Sequence, residues 1–178
     1  FHCEIYDTWF QTETGSIMIA NRPGLEVRPG SMGKPLPYVE ATILESRDHP
    51  LPDNTQGLLC IRKPWNSMFR EYVGNPVVYK NKFLGDFYSS GDIAYRDKDG
   101  YYWYIGRSDD VINTAGHLVS PFEIESAVME VPHVLDCAVA GLPDDLLYEK
   151  VVAFVVHDQQ AQSLRKLDME IKLYVSKK

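Results

Sequence analysis

The stretch Ile93-Ala94-Tyr95-Arg96-Asp97-Lys98-Asp99-Gly100-Tyr101-Tyr102-Trp103-Tyr104-Ile105-Gly106-Arg107-Ser108-Asp109-Asp110 sets the reading of the chain. Its two aromatic and β-branched arms flank Asp97-Lys98-Asp99-Gly100, the pattern of a hairpin closing on an Asp-Gly turn. After Arg107 strand-like alternation stops and a helical pattern follows. Gly106–Asp110 stands between them as a polar turn, not a flexible linker. Towards the N-terminus the chain reads as β-rich. Ile5–Phe10 and Ser16–Ala20 are short strand-like runs around Gln11-Thr12-Glu13-Thr14-Gly15, and Val39–Glu45 alternates well enough to pair with Leu58–Lys63. Residues 21–37, with four prolines and three glycines, read as a surface loop, and residues 64–90 as an aromatic, irregular stretch.

Towards the C-terminus, Ser120-Pro121-Phe122-Glu123 combines an N-cap serine, a proline at the first helical position and a capping-box glutamate. A helix is predicted from there to Glu130, stopping before Pro132. Val134–Leu142 and Lys150–His157 read as two β-branched strands. From Ser163 onward Leu164, Leu167, Ile171, Tyr174 and Val175 recur at helical spacing. The fold class is therefore α+β: a β-rich, barrel-like subdomain over residues 1–106, then a small helix-on-sheet (α-β-β-α) domain.

With 178 residues, 18 basic and 25 acidic side chains and a net charge of −7, the chain has no positive field with which to hold nucleic acid. No apolar run approaches the ~18 residues of a membrane span. Three scattered cysteines, Cys3, Cys60 and Cys137, signal neither a disulfide framework nor a metal cluster, which fits a reducing, cytoplasmic setting.

Four places carry candidate chemistry. Thr12 could donate to a phosphate oxygen, and Glu13 could hold Mg²⁺ that itself holds phosphates; an ordinary hydrogen-bonded turn is the plain alternative. Asp92, in Ser89-Ser90-Gly91-Asp92, offers the carboxylate that ribose hydroxyls commonly meet. Arg107 lies at the far end of the same hairpin, so both return to one sheet edge, either to clasp a ribose or to form a surface ion pair. Asn113-Thr114-Ala115-Gly116-His117 is a small-residue loop whose Gly116 would admit a close ligand chain. His117 has no nucleophile arranged around it, and GxGxxG, GxxxxGK[ST] and HExxH are all missing.

Asp7-Thr8-Trp9-Phe10-Gln11-Thr12-Glu13-Thr14-Gly15, Pro29-Gly30-Ser31-Met32-Gly33-Lys34-Pro35, Tyr88-Ser89-Ser90-Gly91-Asp92, and Gly106-Arg107-Ser108-Asp109-Asp110-Val111-Ile112 through Glu123-Ile124-Glu125 occur in that order. Together they resemble the AMP-forming acyl-CoA synthetases, and within that adenylate-forming family look nearest to the acetyl- and short-chain members. The resemblance implies a ligase that joins a carboxylate to ATP, releases pyrophosphate and passes the acyl group from AMP to coenzyme A. It implies that Asp7, Thr8, Trp9, Phe10 and Gln11 line the adenine and acyl pocket, and that Thr12 meets the phosphates while Glu13 holds Mg²⁺. Asp92 and Arg107 would bind ribose, Asp109 within 107–110 would be the hinge, and Ala115 and Gly116 would border the pantetheine tunnel. Residues 111–178 would be a small mobile C-terminal domain.

Three residues depart from the family pattern: Phe10 replaces a second tryptophan, Leu118 an arginine that touches phosphates, and Tyr38 a glycine. An upstream phosphate loop and a downstream lysine segment are both expected in such enzymes and are not in the sequence. The expectation is a truncated piece, inactive by itself, of a larger enzyme. The alternatives are an adenylation enzyme that loads a carrier-protein pantetheine and a non-catalytic interaction module of the same fold.

Overall fold

Phe87–Arg96 and Tyr102–Arg107 form the expected hairpin, in a register that sets Arg96 opposite Tyr102 and Asp92 opposite Arg107. The Asp97 side chain helps to hold its turn. Asp97 Oδ1 accepts the backbone N–H groups of Asp99 and Tyr101 at 3.0 and 2.9 Å, and Gly100 takes a φ of +83°. Burial pushes the Asp97 carboxyl up, but the Tyr101 N–H, the Trp103 indole, the Asp99 N–H and the Arg28 guanidinium together bring it below the usual range.

The structure is a computed structural model that describes residues 3–46, 49–158 and 163–177. It divides into two units, Phe1–Ser108 and Asp109–Lys178. In the first, β1 (Thr8–Trp9), β2 (Ile19–Ala20), β3 (Ser31–Pro35), β4 (Ala41–Ser46), β5 (His49–Pro50) and β6 (Gly57–Arg62) precede a short helix, α1 (Pro76–Asn81). β7 (Phe83–Leu84), β8 (Phe87–Arg96) and β9 (Tyr102–Arg107) follow. Hydrogen bonding orders the sheet β1-β2-β3-β9-β8-β6-β4-β5, with β7 beside β8. The unit is β-rich, as expected, with its hydrogen-bonded path running from β1 to β5. Its core gathers Trp9, Met18, Ile19, Met32, Ile43, Leu59, Ile61, Tyr88, Ala94 and Tyr102, and each large apolar side chain buried there stabilises the unit by about 1.5–3 kcal/mol.

Two readings of this unit are corrected. Residues 21–37 are not wholly loop, because β3 lies within them and bridges β2 and β9. Gly33, with φ +90°, sits at a register shift in β3, where a Cβ would lie 2.1 Å from the Ala20 carbonyl carbon. The glycine thus marks a bulge inside a strand. Residues 64–90 are likewise more ordered than expected: Asn75 caps α1 by accepting from Val78 N at 3.3 Å, with Pro76 in the first turn.

The second unit holds β10 (Ile112–Thr114), β11 (His117–Val119), α2 (Pro121–Met129), β12 (Val134–Asp144), β13 (Tyr148–His157) and α3 (Leu164–Val175). Its sheet runs β11-β10-β13-β12. The expected α-β-β-α core is present, with Ser120 and Ser163 as the two N-caps. Glu125 of α2 accepts the Val139 N–H of edge strand β12 at 2.8 Å, tying helix to sheet. The correction is the extra hairpin β10–β11: the small-residue loop is its turn, with Ala115 and Gly116 both at positive φ (51° and 83°), as a two-residue hairpin turn of this hand requires.

Gly33→Ala should destabilise the first unit by about 1–3 kcal/mol or more, because the clash is with backbone that cannot step aside. Tyr38 is fully exposed at φ 69°, so Tyr38→Gly should be neutral or stabilising by up to about 1 kcal/mol. Urea denaturation of the two variants checks both directions.

Candidate functional site

β1 and the residues flanking it, the start of β3, the middle of β8 and the C-terminal part of β9 enclose an open cleft of about 480 Å³. Asp7, Thr8, Trp9, Phe10 and Gln11 form one wall, Gly30, Ser31 and Met32 a second, and Asp92, Tyr104 and Arg107 the third. Seven of the residues expected at the nucleotide, Asp7–Gln11, Asp92 and Arg107, line this cleft with four others, whereas Thr12 and Glu13 do not line it.

Asp92 is the buried centre of this cleft, at 4% exposure. Its Oδ2 accepts from the Trp9 indole at 2.8 Å and from the Gln11 amide at 3.0 Å; its Oδ1 accepts from Arg107 Nη1 at 3.0 Å. Arg107 Nη1 and Gln11 Nε2 also donate to the Ser90 carbonyl, each at 3.1 Å. Ser90 is fixed in turn, its hydroxyl donating to Leu59 O at 2.7 Å and accepting from Asp92 N at 3.0 Å. Tyr88 donates to Gln11 Oε1 at 2.8 Å, which turns the amide so that its NH₂ faces Asp92. Burial, with Glu13, Tyr72 and Asp92 nearby, raises the Tyr88 pKa well above that of a free phenol, so this donor stays protonated. Backbone chemistry enforces the rest: Gly91 has φ +78°, and a Cβ there would sit 3.0 Å from Arg107 Nη2. The guanidinium lies against a site that only glycine leaves open.

A register irregularity explains Tyr104. Ile93 pairs with Gly106 while Ala94 pairs with Tyr104, so Ile105 is an extra residue in β9. In a regular strand, residues 104 and 107 would face opposite sides. The bulge returns both to one side, where each lines the cleft. Gly30, Ser31 and Met32 carry part of the resemblance but receive no site role from the sequence for a related reason, since Ser31 and Met32 open a strand hidden among prolines and glycines and Gly30 precedes it.

Thr12 and Glu13 stand beside this cleft on the next turn, closed by Thr14 N donating to Gln11 O at 3.1 Å. Thr12 is exposed. Glu13 Oε1 accepts from the Tyr72 hydroxyl at 2.6 Å. Burial, and then that hydrogen bond to Glu13, push the Tyr72 pKa up to about 12. Thr14 is structural: it is fully buried, its hydroxyl serves the turn's own backbone, and its carbonyl accepts from Trp65 Nε1 and Ser67 Oγ at 2.9 and 2.7 Å. Among the described residues no three His, Cys, Asp or Glu side chains gather to hold a metal. A single carboxylate fits only a cation that brings most of its oxygen ligands with it, as Mg²⁺ on a polyphosphate does.

Asp109, Ala115, Gly116 and Leu118 belong to the second unit. Asp109 is its first residue, Ala115 and Gly116 are the exposed turn of β10–β11, and Leu118 lies opposite Asn113 in that hairpin.

Residues 1–73 match the AMP-binding enzyme family, and residues 123–178 match the AMP-binding enzyme C-terminal domain. The chain belongs to the AMP-binding enzymes. It is 44% identical over 176 residues to acetyl-coenzyme A synthetase of Bacillus subtilis, a match that covers 98% of this chain and 31% of that protein. It is 43% identical to acetyl-coenzyme A synthetase of Pasteurella multocida, over 98% of this chain and 28% of the relative. The chain thus spans less than a third of the length of these two curated relatives. Among solved structures it resembles an anthranilate CoA ligase in complex with anthranoyl-AMP (TM-score 0.81, 35% identity, 98% of this chain and 32% of that one). ATP-bound MatB from Rhodopseudomonas palustris is also similar (TM-score 0.79, 30% identity, 94% and 33%). The aspartate–arginine pair lies between the two matched segments. No helix among the described residues is long and apolar enough to cross a membrane.

Asp92→Ala would leave the Trp9, Gln11 and Arg107 donors without their common acceptor. The chain should lose about 1–3 kcal/mol of stability, the cost of unsatisfied buried donors. Phe10→Leu, at a side chain 60% exposed, should change stability by less than about 0.5 kcal/mol, as an ordinary surface substitution does. Paired urea melts of the two variants test the contrast.

Proposed function

We propose that the chain is the nucleotide-holding portion of an AMP-forming acyl-CoA ligase that activates a short carboxylate. The observation that carries the reading is the convergence of Asp92, Arg107 and the Asp7–Gln11 wall on one cleft. A carboxylate offers about four lone-pair positions. Three on Asp92 are taken by Trp9, Gln11 and Arg107, which fixes the group and leaves capacity for a ribose hydroxyl. The neighbouring guanidinium supplies donors for the same diol. In this reading the base lies between the Asp7–Gln11 wall and Tyr104, and Thr12 donates to the phosphates.

The two steps follow the family chemistry. A carboxylate oxygen of the acid attacks the α-phosphorus of ATP and pyrophosphate leaves, giving an acyl adenylate. The thiol of coenzyme A then attacks the acyl carbonyl and AMP departs. Mg²⁺ on the polyphosphate, met by Glu13, would neutralise charge that develops in the first step. Phe10, 60% exposed at the cleft, would close the acyl end. Asp109 would be the hinge between half-reactions, a role supported by the boundary between the two units after Ser108. Ala115 and Gly116 would leave room for pantetheine, because a turn of small residues obstructs a thin chain least. The setting in this reading is cytoplasmic, in keeping with the three free cysteines.

Titration calorimetry of the 178-residue chain with AMP tests the reading. AMP should bind, and Asp92→Ala should weaken it by about 1.5–3 kcal/mol. AMP affinity unaffected by Asp92→Ala would remove the ribose assignment. In a longer chain with turnover, Phe10→Gly should widen acid selection towards longer acyl groups, measured as the ratio of kcat/KM for hexanoate over acetate.

A further inference from the structure

We propose that Tyr72 is a positioning residue that presents the Glu13 carboxylate to a polyphosphate-bound divalent cation. The inference deepens the role given to Glu13 above and rests on it. No motif marks the segment around Tyr72, yet it is the frame of the Glu13 turn. The Tyr72 hydroxyl donates to Glu13 Oε1 at 2.6 Å. Phe69 N donates to the Glu13 carbonyl at 3.0 Å, and Trp65 and Ser67 hold the carbonyl of the next residue, Thr14. A Cβ on Gly15 would lie 2.3 Å from the Ser67 carbonyl oxygen, so the two segments are pressed together at backbone distance.

Side chain and backbone of Glu13 are therefore both gripped from one segment. A lone carboxylate on an exposed turn would sample several rotamers and lose entropy on meeting a cation. A phenol donating to one oxygen restricts that sampling and leaves Glu13 Oε2 to face a cation. The phenol ring is itself set by Phe69, whose centroid lies 5.3 Å away in an edge contact. Phe69 also packs on Tyr88 at 5.5 Å, and Tyr88 orients Gln11 beside Asp92. Ligands of a bound metal are commonly held by an outer hydrogen bond in this way, and loss of one costs about 10–100-fold in metal affinity.

The test uses Tyr72→Phe, which keeps the ring and its packing and removes one hydroxyl. ATP affinity of the 178-residue chain is measured by calorimetry with excess Mn²⁺ and again with EDTA, and AMP affinity is measured alongside. In the parent chain Mn²⁺ should tighten ATP binding. Tyr72→Phe should lose about tenfold or more of that gain, as should Glu13→Gln, while Tyr72→Phe keeps its AMP affinity and melting temperature. Equal Mn²⁺ gains in the parent and Tyr72→Phe, with Glu13→Gln impaired, would overturn the role of Tyr72 alone. An unimpaired Glu13→Gln would overturn it together with the metal assignment. A parent chain that binds no AMP would instead remove the nucleotide reading beneath both. Should Tyr72→Phe melt early, Tyr72→His, which retains a donor, must recover the Mn²⁺ gain for the proposal to stand.

Discussion

A buried carboxylate, held by donors drawn from three separate places in the chain, organises this protein. Asp92 lies almost out of solvent, and its charge is tolerated because a guanidinium, an indole N–H and an amide N–H all point at it. Removing a carboxylate from water costs several kcal/mol unless such partners are in place. Trp9 comes from β1, Gln11 from the turn after it, and Arg107 from the end of β9. The ion pair is thus a poor source of net stability and a strong constraint on geometry. The first strand, the hairpin and the turn between them must meet in one arrangement, and the cleft is what that arrangement leaves open.

The glycines enforce the same constraint from the backbone side. Gly91 lets the guanidinium lie against the chain, Gly33 lets β3 pass the Ala20 backbone, and Gly15 presses the Glu13 turn onto the segment that carries Tyr72. Around them the aromatic side chains Trp65, Phe69, Tyr72, Phe83 and Tyr88 pack at centroid distances of 5.3–6.0 Å. That cluster joins the core of the sheet to both acidic positions. A rigid scaffold of this kind lets polar groups wait in place for a ligand, so little ordering remains to be done on binding.

Much of this arrangement is legible in the amino-acid sequence. The Asp92–Arg107 pairing follows from counting along a hairpin whose turn residues are diagnostic, and Ser120-Pro121 announces its helix through capping chemistry alone. What the sequence hides depends on departures from regular period. β3 is masked by prolines and glycines that serve a bulge and a close backbone approach. The tyrosine at 104 is obscured because a single extra residue, Ile105, reverses the face on which it lies; strict alternation assigns it to the wrong side. Tyr72 lacks any local pattern, since its meaning lies in a contact with a residue 59 positions earlier. The β10–β11 hairpin is obscured by its brevity, three residues on each side of a two-residue turn.

The central claim is that one ribose is held between the carboxylate of Asp92 and the guanidinium of Arg107. A crystal structure of the 178-residue chain grown with AMP tests it most directly. The account predicts ribose hydroxyls within hydrogen-bond distance of both groups and the base against Tyr104. Density for AMP on any other surface, with the Asp92–Arg107 cleft left to solvent, would contradict it.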